Sequence, residues 1–380
     1  MGVIVNILLL LLVISVLTCI HEFGHYLAAR IVKAKVLDFS VGFGPKILST
    51  KKNGIEYNFR ALPFGGFVKI LGDGDPSSQE ENIKDSGNLK NKSKFAQVFV
   101  MLAGVTMNIL LAFALYFIFI SANNWKIEIG SDYSDFHPVG AVITKDRISD
   151  LPYELTKDSQ AKESGLYEKG YIKSVNGKVV YDYSDFKKDL DGIKNTSVTL
   201  EACKYDSNDC NKFIVPVNQD GKIGMYIGSN YSTYIDYSKN KIFAGFSHSI
   251  NVLKLTGEAL SSMFAQAKQT GDYGSLSNTV SGPVGIYFVI NYFKSLGLPV
   301  FLGMVADLSL SLAVINLLPI PALDGGRAFI LLIEGILRKD IPEKVESFII
   351  NISFMLLVLL IIGIMVKDIL NINQLQSLFK

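Results

Sequence analysis

The chain has 380 residues, of which 49% are hydrophobic and only 19% are charged. An ordinary soluble domain carries about 25% charged residues, so this composition favours a membrane protein. At about 150 residues per domain, the length predicts two or three structural units. The 37 basic and 35 acidic residues leave a net charge of +2 without runs of like charge, which argues against nucleic-acid binding.

Four apolar segments are long enough to cross a bilayer, whose hydrocarbon core requires about 20 helical residues. They cover residues 3–20, 95–120, 298–318 and 348–366. Among these residues, one is charged, Asp307 in the third segment. The first segment has no basic region before it and continues into the polar sequence HEFGHYLAAR, so we expect a retained span rather than a cleaved signal peptide. The predicted fold class is an α-helical polytopic membrane protein with about four transmembrane helices.

Basic residues near the span ends predict the orientation, because they are retained on the cytoplasmic side. Such residues lie in three places: Arg30, Lys33 and Lys35 follow the first span, Lys90, Lys92 and Lys94 precede the second, and Arg327, Arg338, Lys339 and Lys344 lie between the third and the fourth. The opposite flanks offer little beyond Lys126 and Lys294. We therefore expect the N-terminus and residues 121–297 outside, and residues 21–94 and 320–347 on the cytoplasmic side.

The segments between the spans differ in character. Residues 37–72 alternate apolar and small residues with turn signals, which predicts strands that form a membrane-associated β-hairpin; a small cytosolic hairpin is the alternative. Residues 73–94 are polar and predict a cytoplasmic linker. Residues 121–235 contain short alternating runs, which predict a mostly-β domain, and residues 236–297 predict an amphipathic helix that leads back to the membrane.

The first span ends in an H-E-x-x-H motif formed by His21, Glu22 and His25. Residues i and i+4 share a helix face, so the two imidazoles can point at one ion while Glu22 reaches a water bound there. Neutral imidazoles suit zinc, and a catalytic zinc takes three protein ligands and a water. The alternative is that these groups only reach the membrane interface, but ionisable groups at the end of an apolar span are costly unless they are paired or functional.

The motif lacks a third ligand, for which the residues nearby are poor candidates. A better candidate is Asp324, in the sequence NLLPIPALDGGR that follows the third span. Pro319 and Pro321 end the helix, and we expect the two glycines after the aspartate to let the backbone turn sharply and present the carboxylate to the ion. HEFGH and Asp324 are also predicted at the cytoplasmic ends of their spans. Taken alone, Asp324 would be interpreted as an ordinary helix-capping aspartate.

Several motifs occur together along the chain: HEFGH, VGFGP, FRALPFGGFVKI, SGPVGI and NLLPIPALDGG. With these motifs in this order, the chain resembles the site-2 protease family of intramembrane zinc metalloproteases over nearly its whole length. Within that family it is most similar to the bacterial branch that regulates sigma-E. The resemblance implies zinc (Zn²⁺) held by His21, His25 and Asp324, with Glu22 as the catalytic base.

The resemblance also implies how a substrate binds. Asn316, Pro319 and Pro321 are expected near the bound substrate strand. Residues 41–69 are expected to form a membrane-associated hairpin that adds a strand to an unwound substrate, a form of β-augmentation, with Gly65, Gly66 and Phe67 in contact with that substrate. Asn108, in the sequence AGVTMN of the second span, is expected to make a hydrogen bond close to the site.

The activity implied by the family is regulated intramembrane proteolysis. The expected substrates are single-span membrane proteins, such as an anti-sigma factor or remnant signal peptides. The expected location is the bacterial inner (cytoplasmic) membrane, with the lipid bilayer as a partner, the active site toward the cytoplasmic side and no nucleic acid. An upstream protease is expected to cut some substrates first.

The predicted outer domain resembles a PDZ domain in the stretches GAVI and SQAKESGLYEKGYIKSVNGKVV. It departs from the pattern at Tyr171, where family members usually have an aspartate. Its length accommodates one PDZ fold, whereas the most similar family members often carry two. A PDZ domain outside the membrane would act as a size filter that admits substrates already trimmed by an earlier protease.

The predicted organisation combines spans, hairpin and inserted domain in chain order. It comprises 1–36, the first transmembrane helix with HEFGH; 37–72, the hairpin region; 73–94, the cytoplasmic linker; 95–120, the second transmembrane helix; 121–235, the extracytoplasmic PDZ-like α+β domain; 236–297, the amphipathic helix and its connection; 298–320, the third transmembrane helix; 321–347, the cytoplasmic LDGG segment and loop; and 348–380, the fourth transmembrane helix and tail.

Two other functions are weighed against this prediction. A membrane-anchored PDZ receptor with a vestigial metal site would bind chains without cutting them, but the intact HEFGH and Asp324 disfavour it. A transporter that uses Asp307 and the intramembrane histidines would be expected to show an inverted repeat, which the sequence does not show.

Five further residues have structural interpretations. Asp307 is expected to line a water-filled cavity, or to be protonated and hydrogen-bonded to a neighbour. His248 is interpreted as a packed or surface residue of the amphipathic helix, and Cys19 as a packed thiol. Cys203 and Cys210 lie close together in the sequence and could pair in an oxidising compartment.

Overall fold

The structure, a computed structural model, describes residues 2–73, 85–130, 133, 135–157, 159–205, 207, 209–274 and 280–378. Half of the linker predicted at 73–94, residues 74–84, lies outside these described residues. The chain divides into two compact units, one made of Met1–Asn123 with Ile242–Lys380 and the other of Asn124–Lys241.

The helices follow one another along the chain with these bounds: α1 (Gly2–Ile31), α2 (Lys94–Ala122), α3 (Tyr183–Leu190), α4 (Ala244–Thr270), α5 (Pro283–Ser295), α6 (Leu298–Leu317), α7 (Asp324–Leu337), α8 (Glu343–Leu370) and α9 (Ile372–Leu378).

The strands are β1 (Val36–Lys52), β2 (Ile55–Ile70), β3 (Lys126–Ile129), β4 (Val142–Arg147), β5 (Leu151–Leu155), β6 (Lys169–Val175), β7 (Lys178–Val179), β8 (Thr196–Lys204), β9 (Cys210–Val217), β10 (Met225–Ile227) and β11 (Tyr231–Asp236).

Among the described residues, four helices of the first unit are long and apolar enough to cross a membrane: α1, α2, α6 and α8. This confirms the four spans predicted from the sequence. Helix α2 packs against α1, α4, α6 and α7, so it forms the centre of the unit. A buried apolar cluster joins Val13 and Leu17 of α1 to Ile290 of α5 and to Met304 and Val305 of α6.

The segment at 37–72 forms the predicted hairpin, but its two strands pair more extensively than a simple hairpin would. Residues 36–41 pair with residues 66–70 on one side, and residues 38–41 pair with 56–59 on the other, so that Phe39 lies opposite both Val68 and Tyr57. Residues 46–52 then pair with 55–60. The result is in effect a four-segment mixed sheet, in which residues 38–41 run parallel to 56–59 and the other neighbours are antiparallel, and whose two edges are residues 46–52 and 66–70.

Two regions that the sequence predicted as a connection and a loop contain helices. Helix α5 lies in the predicted connection and α7 in the predicted LDGG loop. Both are shorter than the roughly 20 residues that a span requires, so neither shows the long apolar run that predicts one. Helix α4, in contrast, corresponds to the predicted amphipathic helix.

The prediction that Gly325 and Gly326 form a sharp turn behind Asp324 is wrong. Both glycines lie inside α7, and neither is among the glycines with a positive φ. A Cβ atom on Gly325 would collide with the carbonyl of Leu317, and one on Gly326 with the carbonyl of Ile320. The two glycines therefore allow the start of α7 to pack against the chain that leaves α6.

The second unit contains two antiparallel sheets and helix α3. One sheet has the order β3-β11-β4, and the other has the order β10-β5-β6-β8-β9 with β7 paired to β6. Its core is apolar and includes the fully buried Leu151, Ile172 and Leu200. Cys203 and Cys210 face each other on β8 and β9 and form a disulfide, the pairing that the sequence left open.

Candidate metal centre

Three side chains of the first unit converge at one point. His21 and His25 lie one turn apart on α1, and Asp324 is the first residue of α7. The two imidazole Nε2 atoms are 3.2 Å apart. Oδ2 of Asp324 lies 2.9 Å from Nε2 of His21 and 3.3 Å from Nε2 of His25. Both histidines are buried, with 8% and 7% of their surface exposed.

These distances fit one tetrahedral zinc ion. With metal–ligand bonds of about 2.0–2.1 Å, a tetrahedral ion separates its donor atoms by about 3.3 Å. The three observed separations, 2.9, 3.2 and 3.3 Å, are close to that value. In addition, the buried Oδ2 of Asp324 has no hydrogen bond from any described residue. Two neutral nitrogens and a carboxylate oxygen are a common ligand set for zinc, and they leave a fourth position for water.

The charge state of Asp324 suits a metal ligand. Burial alone would raise the pKa of its carboxyl group, but the two imidazoles beside it hold the pKa below its usual range. The carboxylate form is therefore the form present at neutral pH, as ligation requires.

Gly104 of α2 provides the space in which the imidazoles lie. A Cβ atom at this position would be 2.5 Å from Nε2 of His25 and 2.7 Å from Nε2 of His21. These separations are too short for any side chain, so α2 can approach the two histidines only because residue 104 is glycine.

The second nitrogen of each imidazole has a partner on α2. Nδ1 of His25 is 2.8 Å from the carbonyl oxygen of Val100, to which it can donate, and this leaves Nε2 free for an ion. Nδ1 of His21 lies 3.2 Å from Nδ2 of Asn108, while Oδ1 of the same amide is buried and has no hydrogen-bond partner among the residues that the structure describes. A half-turn of the amide would exchange its two atoms, so that Oδ1 accepts the Nδ1 proton of a His21 that ligates through Nε2.

Glu22 connects the helix to the hairpin sheet. Its Oε2 accepts a hydrogen bond of 3.0 Å from the backbone N–H of Val68, in the edge segment 66–70. The carboxylate lines a cavity together with His25, Asp324, Phe67 and Arg327. A carboxylate in this position can take a proton from a water in the cavity.

The residues predicted to bind substrate lie in different places. Phe67 lines the cavity beside Glu22, whereas Gly66 packs against the Ser40 carbonyl and Gly65 against the Phe43 ring. The described residues that line the cavity include Ala322 but not Asn316, Pro319 or Pro321. Those three lie at the end of α6 and on the segment between α6 and α7.

Sequence reasoning missed three contributors to this site: Gly104, Arg327 and the N–H of Val68. Gly104 could have been found, because it precedes Asn108 by one helical turn and so shares its face of α2. The other two depend on tertiary contacts between the helices and the hairpin sheet, which leave no local pattern.

Comparison with known proteins agrees with this geometry. The family model described as Peptidase family M50 matches residues 9–360. A Clostridium perfringens protein named as a zinc metalloprotease is 33% identical, over 95% of this chain and 97% of the relative. A Clostridium acetobutylicum protein of the same name is 30% identical, over 96% of this chain and 97% of the relative.

A third relative is the regulator of sigma-W protease RasP of Bacillus subtilis. It is 26% identical, over 93% of this chain and 96% of the relative. Because the family match spans most of the chain, and two relatives of nearly equal length reach 30% identity or more, the chain belongs to peptidase family M50, the site-2 protease family of membrane zinc metalloproteases.

Proposed function

We propose that the protein is an intramembrane endopeptidase in which His21, His25 and Asp324 hold the zinc ion and Glu22 is the general base. The observation that carries this proposal is the convergence of the three donor atoms within 3.3 Å of one another, with Glu22 lining the same cavity. The intact donor set argues against a receptor with a vestigial site.

The protein groups divide the chemistry between them. Held by His21, His25 and Asp324, a zinc ion would supply Lewis acidity toward a water and toward the scissile carbonyl. Glu22 takes the proton of the attacking water and returns it to the leaving amine. The Val68 N–H fixes Oε2 of Glu22, which leaves Oε1 for the water. The Val100 carbonyl, and the Asn108 amide after its half-turn, hold the imidazoles in the tautomer that presents Nε2.

The edge segment 66–70 is the proposed binding site for an unwound substrate. The N–H groups of Val68 and Ile70 donate to Glu22 and Asp73 rather than to the neighbouring segment, so this edge of the sheet faces the cavity. A substrate strand that pairs here would run past Glu22, as in β-augmentation. Asn316, Pro319 and Pro321 would contact the same strand from the chain that precedes Asp324.

Exposed apolar side chains support the proposed membrane association of the hairpin. They are Phe43, Leu48, Phe59 and Phe64. Backbone pairing within the sheet satisfies most of the polar groups that a bilayer could not.

The proposed location is the bacterial cytoplasmic membrane, with the metal centre toward the cytoplasmic side. Basic residues at the span ends support this orientation. The disulfide between Cys203 and Cys210 supports an outer position for the second unit, because disulfides persist in oxidising compartments. There the unit would act as a PDZ-like size filter for substrates that an upstream protease has trimmed.

The proposed substrates are single-span membrane proteins. The name of the Bacillus subtilis relative, a regulator of sigma-W protease, suggests an anti-sigma factor as one such substrate. Remnant signal peptides, which are short single spans, are a second candidate class.

The test is cleavage of a tagged single-span protein by the purified chain in detergent, with zinc counted by elemental analysis. We expect cleavage by the wild type with about one zinc per chain, loss of cleavage with zinc retained in Glu22→Gln, and loss of both in Asp324→Ala. Cleavage by Glu22→Gln at the wild-type rate would contradict the role of Glu22. Full zinc binding by Asp324→Ala would contradict the ligand set.

A further inference from the structure

Asp307 lies near the midpoint of α6, a membrane span, and its role is not explained by the metal centre. Its side chain is exposed, and among the described residues its hydrogen bond comes from the hydroxyl of Tyr116, 2.5 Å from Oδ1. Tyr116 is itself 1% exposed and packs edge-on against the ring of His248. A carboxylate at this depth is costly unless it faces water or a polar partner. Because the residue is exposed, its carboxyl group can accept a further hydrogen bond from a donor outside the described structure.

The exposed surface of α6 extends from Asp307 toward the metal centre. Asp307, Ser311 and Val314 of α6 recur at helical spacing, Leu318 directly follows the end of the helix, and all four are exposed; together they define the α6 strip. One turn before Asp307, on the same face, Gly303 and Met304 are buried. The strip therefore begins at Asp307 and continues only toward the end of α6.

The strip ends beside the metal centre. Its last residue, Leu318, directly follows Leu317, whose carbonyl packs with that of Asn316 against Gly325, the residue that follows Asp324. Asp307 precedes Asn316 by nine residues, a distance of about 14 Å along a helix axis. A polypeptide lying on the strip would thus reach the metal centre within about nine helical residues, or about four extended ones.

We propose that the α6 strip docks the transmembrane segment of the protein substrate, and that Asp307, oriented by Tyr116, selects segments that place a hydrogen-bond donor, lysine above all, opposite it. This inference rests on the proposed protease function. A substrate is favoured over other occupants because the strip is polar where it begins and leads to the metal centre where it ends. Asp307 is thus a specificity-determining residue.

The test uses the zinc-loaded full-length enzyme and single-span substrates that differ at one position. Each substrate carries one lysine in place of leucine, at one of the nine positions that follow the scissile bond on the side toward Asp307. The readout is the ratio of kcat/KM for the lysine and leucine substrates, in which a general loss of activity cancels. We expect a ratio of about 3 to 15 at one or two adjacent positions of the substrate helix. This ratio corresponds to the free energy that an interhelical hydrogen bond contributes in a bilayer.

Variants of Asp307 then assign the preference. We expect Asp307→Leu to lower the ratio to about one, Tyr116→Phe to reduce it partly, and Asp307→Lys to reverse it in favour of a glutamate-containing substrate. Asp272→Asn, which removes a carboxylate beyond the end of α4, is the matched control and should leave the ratio unchanged. A ratio that is the same in the wild type and in Asp307→Leu would overturn the proposal.

Photocrosslinking from position 311 distinguishes the occupants. An adduct with the substrate supports the proposal, whereas an adduct with a second copy of this chain, or with lipid alone in the presence of substrate, overturns it. If the wild type cleaves every substrate equally, only the role of Asp307 fails. If it cleaves none, the proposed protease function itself fails.

Discussion

The metal centre and the core of the second unit are both buried, but different interactions hold them. The core around Leu151, Ile172 and Leu200 is formed by interdigitated apolar side chains, as in an ordinary soluble domain. At the metal centre, two helices approach closely at glycines: a Cβ on Gly24 of α1 would collide with the backbone of α2, and a Cβ on Gly104 of α2 would collide with the histidines.

The difference follows from the surroundings of each region. Water drives apolar side chains together in the second unit, but lipid tails are as apolar as leucine and provide no such force between helices. Helices in a membrane associate through close backbone packing and hydrogen bonds instead. Replacements that add one carbon should therefore disrupt the metal centre, whereas replacements that remove carbons should disrupt the second unit.

Gly104→Ala should have the largest effect. The added carbon would lie 2.5 Å from Nε2 of His25, so the imidazoles must move away from their ligating positions. We expect zinc content near zero, and cleavage reduced about 100-fold or more. Zinc analysis and a cleavage assay measure both. Gly257→Ala on α4 is the control, since a Cβ there has nothing within 4 Å. Equal zinc content in the two variants would show that close approach at residue 104 is unimportant.

Leu200→Ala should lower the free energy of unfolding of the second unit by about 2–5 kcal/mol, because it leaves a cavity in a packed core. Zinc content should stay at the wild-type value. Trp125, the single tryptophan of the chain, belongs to this unit, so its fluorescence during urea titration of the full-length protein reports the transition.

Ile214→Ala provides the control for this core. Ile214 is 70% exposed on β9 of the same sheet, so its replacement should change stability little. Midpoints that shift equally for Leu200→Ala and Ile214→Ala would contradict the description of this core.

Asn108 should have a smaller and more specific effect. If its Oδ1 accepts the Nδ1 proton of His21, Asn108→Leu should weaken zinc binding about 10- to 100-fold, whereas Asn108→Asp, which keeps an acceptor, should not. Competition with a chelator of known affinity measures the difference. Thr106→Ala, at an exposed site on α2, is the control. If Asn108→Asp weakens zinc binding as much as Asn108→Leu does, the amide of Asn108 donates a hydrogen bond to Nδ1 of His21 instead of accepting one.

The features that local sequence could predict are those with a strong local pattern. Long apolar runs located the four spans, and the H-E-x-x-H spacing brought His21 and His25 together on one face of α1. The aspartate 299 residues after His25 was also identified, because prolines and glycines surround it. Helices α5 and α7 were missed because they are too short to resemble spans.

Tertiary contacts account for the remaining differences. Gly325 and Gly326 were expected to form a turn, a common role for paired glycines, but the structure uses their lack of side chains for close packing at the start of α7. The bond from the Val68 N–H to Glu22 joins residues 46 positions apart. Such a contact depends on how the hairpin sheet lies against α1, and neither segment alone encodes it.

The central claim is that His21, His25 and Asp324 hold one zinc ion, and zinc K-edge X-ray absorption of the full-length protein tests it most directly. The account predicts a first shell of nitrogen and oxygen at about 2.0–2.1 Å that includes two imidazoles, with one imidazole lost in His21→Ala. Sulfur at about 2.3 Å would instead implicate Cys19, the free cysteine. That result, or a spectrum unchanged by His21→Ala, would contradict the account.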